Sequence, residues 1–187
     1  MVAEFLEKTD LHRDLSGARI ELGSGGRDSW SIIGVLPPEN LTELNQEALV
    51  VTPAQVDIVI TKEKTLWRVV GDLEVGLSLC CSRCLAPFSL TLTLAVDRFF
   101  SVGQDPAESF GQSEMEEDIV YLESGTFVIR RFAEEEFILL LPMTPLCKQN
   151  CLGLCQRCGV DINQEPCGCP TVEKENPFSV LGTIKLS

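Results

Sequence analysis

Residues 72–97 read DLEVGLSLCCSRCLAPFSLTLTLAVD, and both ends of this stretch alternate. Leu73, Val75, Leu77 and Leu79 oppose Asp72, Glu74, Gly76 and Ser78; further on, Leu90, Leu92, Leu94 and Val96 oppose Ser89, Thr91, Thr93, Ala95 and Asp97. Successive side chains of a strand point to opposite faces, so a period of two marks a half-buried strand. Two such strands joined by a short segment predict an antiparallel hairpin, with Cys81-Ser82-Arg83-Cys84 in the connection. Upstream, Val56 to Ile60 alternate in the same way, and a turn over Thr61–Thr65 links them to the hairpin.

Beyond the hairpin the character changes. Residues 101–118 bring Gly, Pro, Ser and Gln with Asp105, Glu108, Glu114, Glu116, Glu117 and Asp118, which predicts an acidic loop that buries little apolar surface. Order is expected to resume at Ile119–Leu122. Thr126 is then a fitting cap for a helix whose apolar stripe runs Ile129, Phe132, Ala133, Phe137, Leu140 and Leu141, ended by Pro142. Within it, Glu134-Glu135-Glu136 reads as a solvated face, although Glu136 lies near the stripe. Upstream, Leu15–Leu22 offers a short strand, interrupted by Gly23, Gly25, Gly26 and Pro37-Pro38. The fold class expected is α+β: a mainly antiparallel sheet with a long hairpin, one principal helix and a C-terminal cysteine-rich zinc module. Its divisions are an N-terminal segment over 1–50, a core over 51–146, the module over 147–169 and a polar tail over 170–187 with Pro170, Pro177 and Phe178.

Eight of the nine cysteines have metal-ligand spacings. Cys81 and Cys84 form one CxxC pair; Cys147, Cys151, Cys155, Cys158, Cys167 and Cys169 follow within a short segment. Four thiolates close a tetrahedron around zinc with no open position, so the pattern speaks of structure and binding rather than of a reaction. The simplest partition gives two zinc ions, one held by Cys81, Cys84, Cys147 and Cys151 and the other by Cys155, Cys158, Cys167 and Cys169. The first would tie the hairpin turn to the chain after the helix, closing a loop of about sixty residues. In the second, Cys155-x-x-Cys158-Gly159 matches a zinc knuckle. Cys80 is left over, the spacing to Cys84 favouring Cys81. The 147–169 segment has few large hydrophobes, so metal serves as its core.

Other readings of the thiols are buried free cysteines, an iron–sulfur cluster, and a thiol redox or metal-relay protein using a CxxC pair. The redox reading expects an exposed, low-pKa thiolate at a helix N-terminus, whereas Cys81 and Cys84 join two strands. His12, the single histidine, is read as a surface residue, and Trp30 and Trp67 as core. The chain has no P-loop, no GxGxxG and no nucleophile elbow, so no enzyme activity and no small-molecule substrate are expected.

Composition narrows the partners. The 187 residues, 44% hydrophobic, suffice for a real core, and the formal charge is -13. Two four-thiolate zinc sites would take it to about -17 on ligand-charge counting. Tight nonspecific binding to phosphate backbones needs Lys and Arg, so a globally acidic chain is poorly suited to it. Arg83, Lys148 and Arg157 lie among the cysteines and Arg130-Arg131 opens the helix; they are candidate RNA or partner contacts, or alternatively charge compensation for anionic metal centres. No segment reaches the roughly 20 apolar residues of a membrane span, and the start lacks a basic flank followed by an apolar core, so a cytoplasmic protein is expected.

The pattern Cys81-Ser82-Arg83-Cys84-Leu85-Ala86-Pro87-Phe88, followed by Leu141-Pro142-Met143-Thr144-Pro145-Leu146-Cys147, resembles the YceD family. So does the continuation, Cys151-Leu152-Gly153-Leu154-Cys155-Gln156-Arg157-Cys158-Gly159-Val160-Asp161-Ile162-Asn163 with Cys167-Gly168-Cys169. The resemblance spans about Val50 to Cys169. It implies a bacterial or plastid accessory factor for accumulation or processing of large-subunit (23S) ribosomal RNA, acting through that RNA or through a basic ribosomal protein. The family includes sequences lacking much of the C-terminal cysteine cluster, which implies that the second zinc is dispensable for the shared role.

Overall fold

The computed structural model describes residues 13–23, 27–103 and 119–170. His12, most of the acidic 101–118 stretch and Phe178 lie outside the described residues. The hairpin predicted over 72–97 is longer at both ends: β5, Leu66–Cys80, pairs antiparallel with β6, Pro87–Val102, from Leu66↔Ser101 to Cys80↔Pro87. β4, Ala54–Glu63, adds to the other side of β5 through a turn at Lys64–Thr65, where Lys64 takes a left-handed φ of 57°. β2, Ser29–Leu36, flanks β4, and β7, Ile119–Leu122, runs parallel to β6. The order across this mainly antiparallel sheet is therefore β2-β4-β5-β6-β7. β3, Leu49–Val50, pairs with Ser78 and Leu77 of β5, beyond the end of β4. A separate two-stranded ribbon joins β1, Arg19–Glu21, to β8, Thr126–Val128.

The alternation decides which side is buried. Val56, Ile58 and Ile60 of β4, Trp67, Val69 and Leu73 of β5, and Leu92, Val96 and Phe100 of β6 fall on one face and form the core. Trp67 is buried there and Trp30 packs on it at 5.1 Å between ring centroids. α2, Ile129–Leu140, covers this face with Ile129, Phe132, Ala133 and Phe137. Phe100 meets Phe127 and Phe132 nearly edge-on, which locks β6, β8 and α2 together. α1, Leu44–Glu47, buries Leu44 beside α2.

Two expectations are corrected here. Thr126 does not cap α2: it lies in β8, its hydroxyl donates to Glu21, and the residue preceding the helix is Val128. Pairing with β1 commits Thr126–Val128 to extended backbone, and tertiary pairing overrides the local cap signal. The Glu134–Glu136 run is not a solvated face, since Glu134 is fully buried and Glu136 is 7% exposed. Glu134 accepts from Arg130 at 2.7 Å and from the backbone N–H of Glu43 at 2.9 Å, while Glu136 is held by Arg98 of β6 at 2.8 and 3.1 Å. Only Glu135 remains on the solvent side, paired with Arg131. At the sheet edge β2 is an eight-residue strand, and Leu15 N–H donates to its Val35 carbonyl.

Candidate metal centre

The eight cysteine sulfurs gather into two groups, Cys81, Cys84, Cys147 and Cys151, and Cys155, Cys158, Cys167 and Cys169, within 4.8 Å of one another in each. Cys80 belongs to neither group and is exposed. In the first group Sγ–Sγ distances are 3.8 Å for Cys81–Cys151 and 3.7 Å for Cys84–Cys147. In the second they are 3.6 Å for Cys158–Cys167 and 3.1 Å for Cys167–Cys155. A metal–sulfur bond of about 2.3 Å sets the edge of a thiolate tetrahedron at about 3.8 Å. These separations are far longer than a disulfide bond of about 2.05 Å. They are also shorter than thiolates would show when each binds a different iron of a cluster. Both tetrads therefore fit a single tetrahedral ion.

Both CxxC pairs are built alike. The N–H of the residue two beyond the first cysteine points at its sulfur, Arg83 to Cys81 at 3.5 Å and Arg157 to Cys155 at 3.4 Å. Leu85 N–H donates to the Cys81 carbonyl and Gly159 N–H to the Cys155 carbonyl, each at 2.9 Å. The residue after the second cysteine is left-handed in both: Gly159 has φ 74° and Leu85 φ 62°. Glycine takes that conformation freely, whereas a branched residue pays about 1–2 kcal/mol. Leu85 is 64% exposed, so its side chain offsets little of this by burial. Leu85→Gly should consequently raise stability by about 0.5–1 kcal/mol in urea unfolding, less than the full strain because glycine also loosens the unfolded chain. A fall in stability would show that the side chain contributes more than its exposure suggests.

The first tetrad is where the chain's distant parts meet. Cys81 is fully buried and Cys84 and Cys151 nearly so. Ser82 N–H donates to Pro145, Leu154 N–H to Arg83, and the Arg83 guanidinium to the Cys151 carbonyl at 2.9 Å. Gly153, at φ 78°, lets this strap lie against Arg83, where an added Cβ would sit 3.0 Å from the Arg83 carbonyl oxygen. Asn163 escaped the sequence reading. Its amide donates to Cys151 Sγ at 3.4 Å, its oxygen accepts from Leu152 N–H at 2.9 Å, and Asp161 holds it from behind. Were the tetrad to hold an ion, Asn163 would orient the Cys151 sulfur in the way outer-shell groups do. The Asp-x-Asn spacing after the second knuckle is the only sequence trace of this role.

Electrostatics within each tetrad pull the thiols apart. Backbone N–H groups of Cys147, Cys84 and Arg83 hold Cys81 down at about 6, while burial and the neighbouring sulfurs push Cys147 up to about 12. Cys155 is likewise lowered to about 6 by the N–H groups of Cys158 and Arg157, with Cys167 adding to them. Cys169 is pushed up to about 12 by the sulfurs of Cys167 and Cys158, with burial adding to them. A dication bound here would resolve this conflict by displacing the remaining protons. Neither CxxC pair opens a helix among the described residues, the placement normal for a reactive redox pair.

Of the basic residues singled out above, Arg83, Lys148 and Arg157 adjoin tetrad cysteines. Arg130 and Arg131 do not gather there. They pair with Glu134 and Glu135 at the start of α2, and the segment leading to Cys147 leaves the opposite end of that helix, about 18 Å away at 1.5 Å per residue.

A family profile described as "Large ribosomal RNA subunit accumulation protein YceD" matches residues 69–185, more than half of the chain and inclusive of all eight tetrad cysteines. The chain belongs to the YceD family. A chloroplast protein of Arabidopsis thaliana named large ribosomal RNA subunit accumulation protein YCED homolog 1 is 25% identical over 157 residues, covering 72% of this chain and 49% of that protein. The large ribosomal RNA subunit accumulation protein YceD of Haemophilus influenzae is 28% identical over 118 residues, 62% of this chain and 63% of its own. An uncharacterized protein of Mycobacterium tuberculosis is 28% identical over 86 residues, 46% of this chain and 40% of its own. The chain thus spans about half the length of the plant relative. No solved structure matches it. Among the described residues no helix is long and apolar enough to cross a membrane.

Proposed function

We propose that this YceD-family chain is a zinc-stabilised, non-catalytic accessory factor of ribosome biogenesis. It supports accumulation or processing of 23S ribosomal RNA in the bacterial cytoplasm, through contacts with that RNA or with a basic ribosomal protein. The observation that carries the reading is the family match over residues 69–185, a span that includes the β5–β6 hairpin turn and both cysteine groups. Zinc is favoured over redox metals because four thiolates in closed tetrahedral geometry suit a structural ion without an open position. The metals then act on shape: one fixes the hairpin tip against the segment after α2, the other holds the C-terminal knuckle.

Depleting the protein from cells should lower the ratio of large- to small-subunit ribosomal RNA and enrich large-subunit precursors. An unchanged ratio with the protein gone sinks the reading. For the metals, elemental analysis should return about two zincs per chain. Because Cys81, Cys84 and Cys151 are buried while Cys158 is exposed, a chromogenic chelator should withdraw zinc in two phases, the second tetrad first. Cys158→Ser should remove the fast phase and leave the slow one. Affinity at both sites should rise with pH: thiols held at about 12, as Cys147 and Cys169 are, must lose protons to bind.

A further inference from the structure

The sheet has a second face, opposite α2 and the core. Odd residues of β4 and even residues of β5 point there, together with odd residues of β6. It is long, since the fifteen residues of β5 span about 50 Å. Near its middle Val59 and Val70 sit opposite one another, each 40% exposed, an apolar centre on a solvent-facing sheet. One step along, Asp57 is paired in register with Asp72, followed by Gln55 with Glu74. Glu63 and Asp97 complete the charges that β4 to β6 present on this face, against a single cation there, Arg68; Lys62 and Arg98 lie on the other face. Arg68 is already engaged, bonding Asp97 at 2.8 and 2.7 Å and Glu63 at 3.4 Å. No ion pair among the described residues neutralises Asp57, Asp72 or Glu74. At the Glu74 end the face is not flat: Gln55, Glu74, Gly76 and Thr91 line a groove of about 560 Å³ that also touches Val35 and Thr52.

We infer that this open face docks an extended, lysine- and arginine-rich protein segment. Like charges directly opposed across strands, as at Asp57 and Asp72, destabilise a sheet, so their placement beside exposed valines disfavours the free surface and favours a cationic cover. A lysine or arginine stem can lie over Val59 and Val70 while its charged head reaches the carboxylates beyond. The sign of the charge excludes RNA from this face, because phosphates there would meet only carboxylates and one committed arginine. The inference deepens the ribosome-assembly reading and rests on it for the partner's origin: of the two partner classes proposed, the basic protein is the one this surface fits.

The test uses the full chain with zinc bound and a labelled synthetic peptide of alternating lysine and valine. Asp57→Asn, Asp72→Asn and Glu74→Gln together should weaken binding about tenfold, since complementary charge pairs at an interface couple strongly. Glu47→Gln, Glu123→Gln and Glu165→Gln, which remove equal charge from exposed positions elsewhere, should change it by less than about twofold. Equal losses in the two variants would reduce the effect to net charge and overturn the inference. So would single-stranded RNA binding that is lost with the face substitutions. In depleted cells the face variant should fail to restore large-subunit RNA where the control variant succeeds, and full restoration overturns the inference while leaving the assembly-factor reading intact. Failure of that reading shows separately, as depletion without any change in ribosomal RNA.

Discussion

Cys151→Ser should leave one zinc per chain and free the C-terminal strap from the sheet. Cys151 ties the strap to the hairpin: its sulfur belongs to the first tetrad, its carbonyl accepts from Arg83, and Asn163 bonds the sulfur from outside. Structural zinc sites contribute apparent energies of about 10–16 kcal/mol, against about 5–15 kcal/mol for a whole ordinary domain. The buried cluster here is otherwise thin, consisting of Cys81, Cys84 and Cys151 with Ala86, Phe88, Leu146, Cys147 and Leu154 against it. The main core is separate, built by β2 to β8 and α2, with Phe88 touching both. Loss of the first zinc should therefore be local: proteases should cut after α2, between residues 141 and 154, while a sheet-and-helix fragment survives. Cys158→Ser should release only the second knuckle. Two zincs bound by the Cys151→Ser protein would show that Cys151 is not needed to hold the first ion.

What could be read from the sequence follows from the range of each interaction. β5 and β6 were legible because one apolar face produces strict alternation over long runs. Both extend past the alternating stretch because pairing continues through Trp67↔Phe100 and Val69↔Arg98 to Leu66↔Ser101. β2 was not legible: SWSIIGVL has two adjacent isoleucines and a glycine, and Gly34 is required by the close passage of Arg13, whose carbonyl would lie 2.4 Å from an added Cβ. That constraint is tertiary and leaves only a glycine in the sequence. The structure groups the cysteine sulfurs as in the simplest partition of their spacing, because CxxC geometry is local and the other six cysteines follow one another closely. Leu85 was not, because nothing in a leucine announces a left-handed turn; only its equivalence to Gly159 in the other knuckle does, and that needs the backbone.

The same gap between local and tertiary information explains the acidic run on α2, and it supplies the second large expected effect. Glu134→Ala should destabilise the protein by about 3–5 kcal/mol, the usual consequence of breaking a buried ion pair by removing one partner. The carboxylate is fully buried and serves two donors from different parts of the chain. Without it the Glu43 N–H at the start of α1 loses its acceptor, and Arg130, whose side chain is 31% exposed, retains only a weak bond to the Asn40 carbonyl at 3.4 Å. Because α1 contacts α2 and leads into β3, the loss should loosen residues 38–50 first, visible as faster amide exchange there. Arg130→Met with Glu134→Met removes both charges and fills the space with apolar atoms, so it should recover most of the stability that the single change loses. Urea unfolding of the single and double variants closes the cycle. Equal stability of Glu134→Ala and the parent would mean that this carboxylate is hydrated rather than buried. Glu135→Ala, on the solvent side of the same turn, should change stability by less than about 0.5 kcal/mol, since exposed pairs spaced four apart on a helix contribute little.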